Sequence, residues 1–258
     1  MSIAKKVAVS QFAGGELFNA LTWTGDGTSS RSITGVGFQP DFVWVKNSGA
    51  STSHNLFDSV RGINLDLFTN LNNAESDRTS AGGSLVSFDS DGFGIGADAG
   101  TSTGLNNSGQ NYVAWCFGAG GTSSSNSGGA ITSQISANTS KGFSVGTYTS
   151  PSDSSTAFTV GHGLGVAPKM YWVKTRDGAG GGWTVYNNNL GADKYLFLNT
   201  TAASATSTVA HNNTDPTTSV FSQNTGWAGT SRSYVYYAFA EIKGYSKFGI
   251  YKGTGNAN

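Results

Sequence analysis

The chain is poor in charge, proline, cysteine and long apolar runs, and each shortage excludes something. Only 12% of its 258 residues are charged, and fifteen Lys and Arg balance fifteen Asp and Glu. No basic cluster offers the footprint that binds a phosphate backbone, so nucleic acid is not an expected partner. No acidic run suggests a metal store or a solvating tail. Cys116 is the single cysteine, which forbids an internal disulfide and leaves stability to the core or to assembly with other chains. The opening stretch Met1 to Val9 lacks the apolar core of a signal peptide, and no segment approaches the ~18 apolar residues of a membrane span. Synthesis in a cytoplasm without membrane insertion is therefore expected. Three scattered histidines, His54, His162 and His211, have no ligand spacing, so neither a metal nor a cofactor is expected. Helical periodicity is hard to find anywhere.

What is present is glycine (37 residues) and abundant Ser, Thr and Asn, punctuating segments in which Trp, Tyr, Phe and β-branched residues recur every second position. That is strand and turn chemistry. The chain also repeats itself. Phe42-Val43-Trp44-Val45-Lys46, after Pro40, returns as Met170-Tyr171-Trp172-Val173-Lys174, after Pro168. Tyr112-Val113-Ala114-Trp115-Cys116-Phe117 returns as Tyr234-Val235-Tyr236-Tyr237-Ala238-Phe239, and Asn70 finds a counterpart in Asn199. The reading is all-β: two repeated antiparallel β-sandwich or jelly-roll-like units, side by side or merged into one large domain. Its parts are an arm over residues 1–16, β unit 1 over 17–118, a Gly/Ser linker over 119–130 and β unit 2 over 131–244. A C-terminal strand over 245–258 would begin a third repeat, close a sheet or exchange with a neighbour. Phe42, Trp44 and Lys46 alternate with Val43 and Val45, so both faces of this strand are apolar and it is expected to be covered on both sides.

Chemistry is thin. Gly100-Thr101-Ser102-Thr103-Gly104 fits G-x-S-x-G, but glycine and serine are so common that the match carries little, and no helix pattern follows it. His162-Gly163-Leu164-Gly165 aligns with Thr34-Gly35-Val36-Gly37, so its glycines read as repeated turn geometry rather than an oxyanion loop. Asp89-Ser90-Asp91-Gly92 reads as a β-turn rather than half a calcium loop. Asp41, Asp58 and Asp66 align with Lys169, Tyr186 and the neighbourhood of Tyr195, so no carboxylate pair recurs for glycoside hydrolysis. No catalytic residues are expected. Among the aromatics Trp23, Trp183, Trp227, Tyr186 and Tyr245, a carbohydrate-stacking surface would be built from Trp183, Trp227 and Tyr186, and the competing reading places these rings in the core.

The string from Ser32 through Lys46, with Leu56-Phe57-Asp58-Ser59-Val60-Arg61-Gly62 and Ser87 to Gly94, resembles a repeat module of tailed-bacteriophage virion proteins, especially of marine phages. So do Gly161 to Met170 and Phe239 to Gly249 in unit 2. The resemblance implies a non-enzymatic structural protein on the particle surface: a tail fibre, a head fibre or a capsid-decorating protein. Its implied partners are other virion proteins, capsid or tail, with copies of itself in a homo-oligomer (a trimer by analogy with other fibres) and host-surface glycans. Residues 1–16 or the C-terminal strand would anchor it, and lysis would release the particle without an export signal. The alternative is a lectin-like receptor-recognition module.

Overall fold

The computed structural model describes residues 17–81, 83–96, 104–178, 181–251 and 253. The expected arm over 1–16 lies outside them, as does Ser102. Unit 1 contributes β1 (Phe18–Thr24), β2 (Arg31–Thr34), β3 (Phe42–Asn47), β4 (His54–Asp58), β5 (Leu65–Phe68), β6 (Ser76–Asp77), β7 (Leu85–Asp89), β8 (Gly92–Ile95) and β9 (Asn111–Phe117). Six of them form a large sheet in the order β1-β9-β3-β4-β5-β6, and β2-β8-β7 form a small one. Unit 2 contributes β10 (Ser124–Asn126), β11 (Ser133–Asn138), β12 (Phe143–Thr149), β13 (Ala157–Gly161), β14 (Met170–Thr175), β15 (Thr184–Asn187), β16 (Lys194–Phe197), β17 (Ala205–Thr206) and β18 (Val220–Asn224). A one-turn helix, α1 (Thr225–Ala228), and β19 (Ser233–Phe239) complete it. Its large sheet runs β10-β11-β12-β19-β14-β15-β16-β17 and its small sheet is β13-β18. Among the described residues no helix is long and apolar enough to cross a membrane.

The four sheets stack as layers, with the two large ones in the middle. One core lies between the sheets of unit 1, where Val43, Val45, Phe57 and Ala114 meet Ile33, Phe93 and Ile95. A second lies between the sheets of unit 2, where Tyr171, Val173 and Tyr236 meet Phe158, Val160 and Phe221. The third is the seam between the large sheets, made by Phe42, Leu56 and Leu67 against Phe143, Val145, Val235 and Tyr237. β3 and β14 therefore lie under cover on both faces, as their doubled apolar pattern requires. Each fully buried Val or Phe contributes roughly 1.5–3 kcal/mol relative to exposure, which favours this stacking over two separate sandwiches with wet outer faces.

The repeat is structural as well as textual. Trp23 stacks on Tyr112 at 5.2 Å in unit 1, and Tyr148 stacks on Tyr234 at 5.1 Å in unit 2. Asn70 Oδ1 accepts from the backbone N–H of His54, and Asn199 Oδ1 accepts from that of Trp183, both at 2.9 Å. Gly35 and Gly37 have φ of 94° and 87°, and Gly163 and Gly165 have 69° and 72°, so the doubled glycines are turn positions with left-handed backbone. Across the seam, Trp44 touches its own counterpart Trp172 at 5.8 Å and Phe117 touches Phe239 at 5.9 Å. Contacts between equivalent residues are the mark of a local two-fold axis, as in an isologous dimer.

Several expectations need correction. The Gly/Ser segment over 119–130 is not a free linker. Ala119 is buried, the N–H groups of Ala119 and Gly121 bond the Asp41 carboxylate at 2.7 and 3.3 Å, and Gly120 N–H bonds Ser136. Ser124–Asn126 then enters the large sheet as its edge strand. The expected C-terminal strand does not form in the described residues: Ser246 bridges back to Ile242, and 247–251 run without pairing. Phe248 packs on Phe239, but Ile250 and Tyr251 are 64% and 95% exposed. Register also revises one alignment. Phe42 faces Asp58 across β3 and β4, whereas Met170 faces Asn187 across β14 and β15, so the counterpart of Asp58 is Asn187, not Tyr186.

Candidate functional site

Two of the three predicted carbohydrate-contacting rings are core residues. Trp183 and Tyr186 are both 0% exposed. Trp183 reaches into the seam, where its indole N–H bonds the Phe68 carbonyl at 2.9 Å. Tyr186 stacks on Tyr171 at 4.9 Å and donates its hydroxyl to Asp215 at 2.9 Å. The physical reason is β15, an inner strand whose two faces look into two cores: Tyr186 lies on it, and Trp183 immediately precedes it. Trp23 is likewise buried against Tyr112. The competing expectation, rings as core, holds for these three.

Trp227 differs. It sits on α1, which starts where Asn224 leaves extended backbone and caps the turn by accepting from Gly226 N–H at 2.8 Å. This single turn carries Trp227 out of the small sheet to the end of the sandwich, where it remains half-exposed. There it stacks with Phe197 at 6.1 Å and 16°, and Tyr195 meets it edge-on at 4.6 Å. Trp227 Nε1 donates to Thr184 Oγ1 at 3.1 Å, which fixes the plane of the ring. Tyr195 and Phe197 escaped the sequence reading because they belong to β16, and nothing in β16 shows which end of the sandwich it reaches.

Beside this aromatic wall lies an open cavity of about 400 Å³, floored by Val173, Gln223 and Tyr234 and rimmed by Gly178, Gly181 and Arg232. The volume falls within the roughly 300–1,000 Å³ of small-molecule sites. Gln223 is 1% exposed, and its Nε2 makes no hydrogen bond. It lies close to the Tyr171 hydroxyl, without the geometry of a bond between them. Arg232 Nη1 stands 3.7 Å from Asp177 Oδ1, so the rim charge is shared with a carboxylate. A Cβ on Gly182 would come within 2.6 Å of the Phe197 ring, so glycine there lets that ring complete the wall. None of the described lining residues is a carboxylate, histidine or cysteine.

A second cavity, about 470 Å³, opens along the seam. Phe18, Trp44, Trp115, Met170, Trp172 and Phe248 line it, with Lys141 and Lys247 among its few polar groups. It is overwhelmingly apolar and offers little to a hydroxyl-rich ligand. Among the described residues no three His, Cys, Asp or Glu side chains cluster as a metal site would require. The Asp89 to Gly92 string is the hairpin turn between β7 and β8, and Asp91 accepts from the N–H groups of Gly35 and Gly37 at 3.1 and 2.6 Å.

No curated protein and no solved structure matches this chain. One family model does match, over residues 13–258, and its description is a domain of unknown function (DUF7483).

Proposed function

Since the chain belongs to the DUF7483 family, we propose its role from geometry and sequence resemblance together: a structural protein displayed on the surface of a tailed-bacteriophage particle, as a fibre or capsid-decorating component. The observation that carries the reading is the seam. Two repeats spend their most aromatic faces on each other and close into one stiff, fully layered body. A body of that kind suits bearing load and presenting loops, and the resemblance of residues 32–46 and 161–170 to virion modules points the same way. The low, balanced charge and Gly/Ser/Thr/Asn-rich loops suit an appendage exposed to the medium. In this reading the protein acts by binding, not by catalysis, and its partners are other virion proteins and copies of itself.

Immunogold labelling of intact particles with antibody against the folded chain tests this. Label over the capsid would make it a decoration or head-fibre protein, and label on the tail would make it a fibre. Unlabelled particles, with an antibody that recognises the native chain, would overturn the proposal.

A further inference from the structure

We propose that the outer edge of β1 accepts one more strand, and that the occupant is the chain's own segment Val7 to Ala13, which lies outside the described residues. The inference stands whether or not the protein is carried on a virion.

The two repeats match strand for strand in their large sheets except at this edge. The order β1-β9-β3-β4-β5-β6 of unit 1 corresponds to β12-β19-β14-β15-β16-β17 of unit 2, with Phe18 opposite Phe117 where Phe143 is opposite Phe239. Unit 2 then carries β11 and β10 beyond β12, and β11 pairs with β12 along all six of its residues. Among the described residues, nothing pairs with β1 on that side.

β1 is built like a strand that has cover. The other strands that end the large sheets, β6, β10 and β17, are two or three residues long. β1 has seven residues in unbroken register with β9, and none of them is charged or proline. Short length, charge, proline and bulges are the devices that keep a bare edge from pairing with other chains, and β1 has none of them. Gly25 and Leu17 bond across to β9, so the alternate residues Phe18, Ala20 and Thr22 turn their backbone groups outward. Asn19 Oδ1 accepts from the Ala20 N–H, but the N–H groups of Phe18 and Thr22 find no acceptor among the described residues.

The segment before β1 supplies the match. Val7-Ala8-Val9-Ser10-Gln11-Phe12-Ala13 is uncharged, lacks proline and is followed by Gly14-Gly15. A glycine pair is a favoured two-residue hairpin turn. Such a turn closes on a bonded pair, Ala13 with Glu16, and every second pair beyond it is bonded again. Gln11, Val9 and Val7 then face Phe18, Ala20 and Thr22, the residues whose groups point outward. The chain order is that of unit 2, where β11 immediately precedes β12, and Ser10-Gln11-Phe12 parallels Ser133-Gln134-Ile135 of β11. Val9 and Val7 would also share a face with Phe18, which is 38% exposed. The segment thus keeps the longest bare edge of the large sheets from pairing with a second copy.

The test is amide hydrogen exchange, read residue by residue by NMR on the full chain at two protein concentrations. Val9→Pro and a chain beginning at Glu16 are run in parallel. Thr22 is the reporter, since its N–H points at the added strand, and Leu21, whose N–H points at β9, is the control. The Thr22 amide of the full chain should exchange roughly tenfold or more slowly than in either variant, at both concentrations, while Leu21 stays slow throughout. Val9→Pro removes the donor opposite Ala20 without shortening the chain, so the result does not depend on the truncated chain folding. A Thr22 amide that exchanges freely in the full chain, or equally slowly in Val9→Pro, would overturn the proposal. Protection that rises with concentration would give the edge to a second copy and overturn it too. None of these results bears on where the protein sits in a particle, which the labelling experiment decides.

Discussion

Tyr237 of unit 2 donates its hydroxyl to Asp58 of unit 1 across the seam, at 2.6 Å, although 179 positions separate them in the chain. Asp58 also holds Arg61, whose side chain is wholly buried, and Arg61 continues to Glu75, which forms a bidentate pair with Arg176 of unit 2. Burial works against the Arg61 charge, but Asp58, Tyr237 and Glu75 outweigh it and hold its pKa above the ordinary arginine value. The network thus spans both units inside an otherwise apolar seam.

Removing either end should have unequal effects. Tyr237→Phe deletes one hydrogen bond to a charged acceptor and should lower stability by about 1–3 kcal/mol. Asp58→Ala removes one of the two carboxylates that hold the buried Arg61 guanidinium, together with the acceptor of the Tyr237 hydroxyl, and should cost about 3–5 kcal/mol. Urea unfolding of both variants measures the difference, and equal losses would show that Glu75 alone suffices as the counter-ion of Arg61.

Acid should loosen unit 2. His211 is fully buried, with Nδ1 2.8 Å from the Tyr171 hydroxyl, and burial pulls its pKa from 6.5 down to about 4. The unfolded chain takes up the proton near the ordinary value, while the folded chain resists until the lower one. The stability that His211 contributes is therefore fully present above 6.5 and is lost as pH falls towards 4, on the order of 3 kcal/mol in total. Asp41, whose pKa burial raises, works in the opposite sense, so the comparison must be with a variant. Denaturation at about pH 7.5 and about pH 4.5 should show a shallower loss in His211→Asn than in the wild type. An unchanged slope would assign the effect elsewhere.

The two Asn–backbone bonds provide a matched pair. Asn70→Ala and Asn199→Ala each release one N–H at the start of an equivalent strand and should each cost about 0.5–1.5 kcal/mol. Thermal melts giving a large effect in only one unit would mean that the repeat is no longer energetically symmetric at this point.

Cys116 should be inert. It is 0% exposed on β9, and burial raises its pKa to about 12. A colourimetric thiol reagent at neutral pH should react only after denaturant is added. Prompt reaction with the native protein would mean that β9 opens locally.

The repeat and the two-faced strands were legible because apolar alternation is a local signal, and both β3 and β14 display it. The seam was not: Asp58 and Tyr237 meet only because two sheets stack, and no periodicity records which sheet faces which. The aromatic site was half legible. Gly182-Trp183 and Gly226-Trp227 look alike on the page, yet the first Trp leads directly into an inner strand and is buried, while the second sits on a capped helical turn and is half-exposed. Their fates are set by the element each tryptophan joins. The cavity beside Trp227 also needs β14, β16, β18 and α1 to converge, which is a property of topology.

The pinned segment after β9 changes what kind of dimer this is. Two free copies joined through an isologous seam would separate on dilution. Here the connection through Ala119 to Gly121 keeps the halves at an effective concentration that, for short tethers, is on the order of millimolar. Their mutual affinity has become part of the folding free energy of a single chain. The halves need not be identical, and Asn187 and Tyr237 stand where unit 1 has Asp58 and Trp115, because each half has to fit only the one partner to which it is tied.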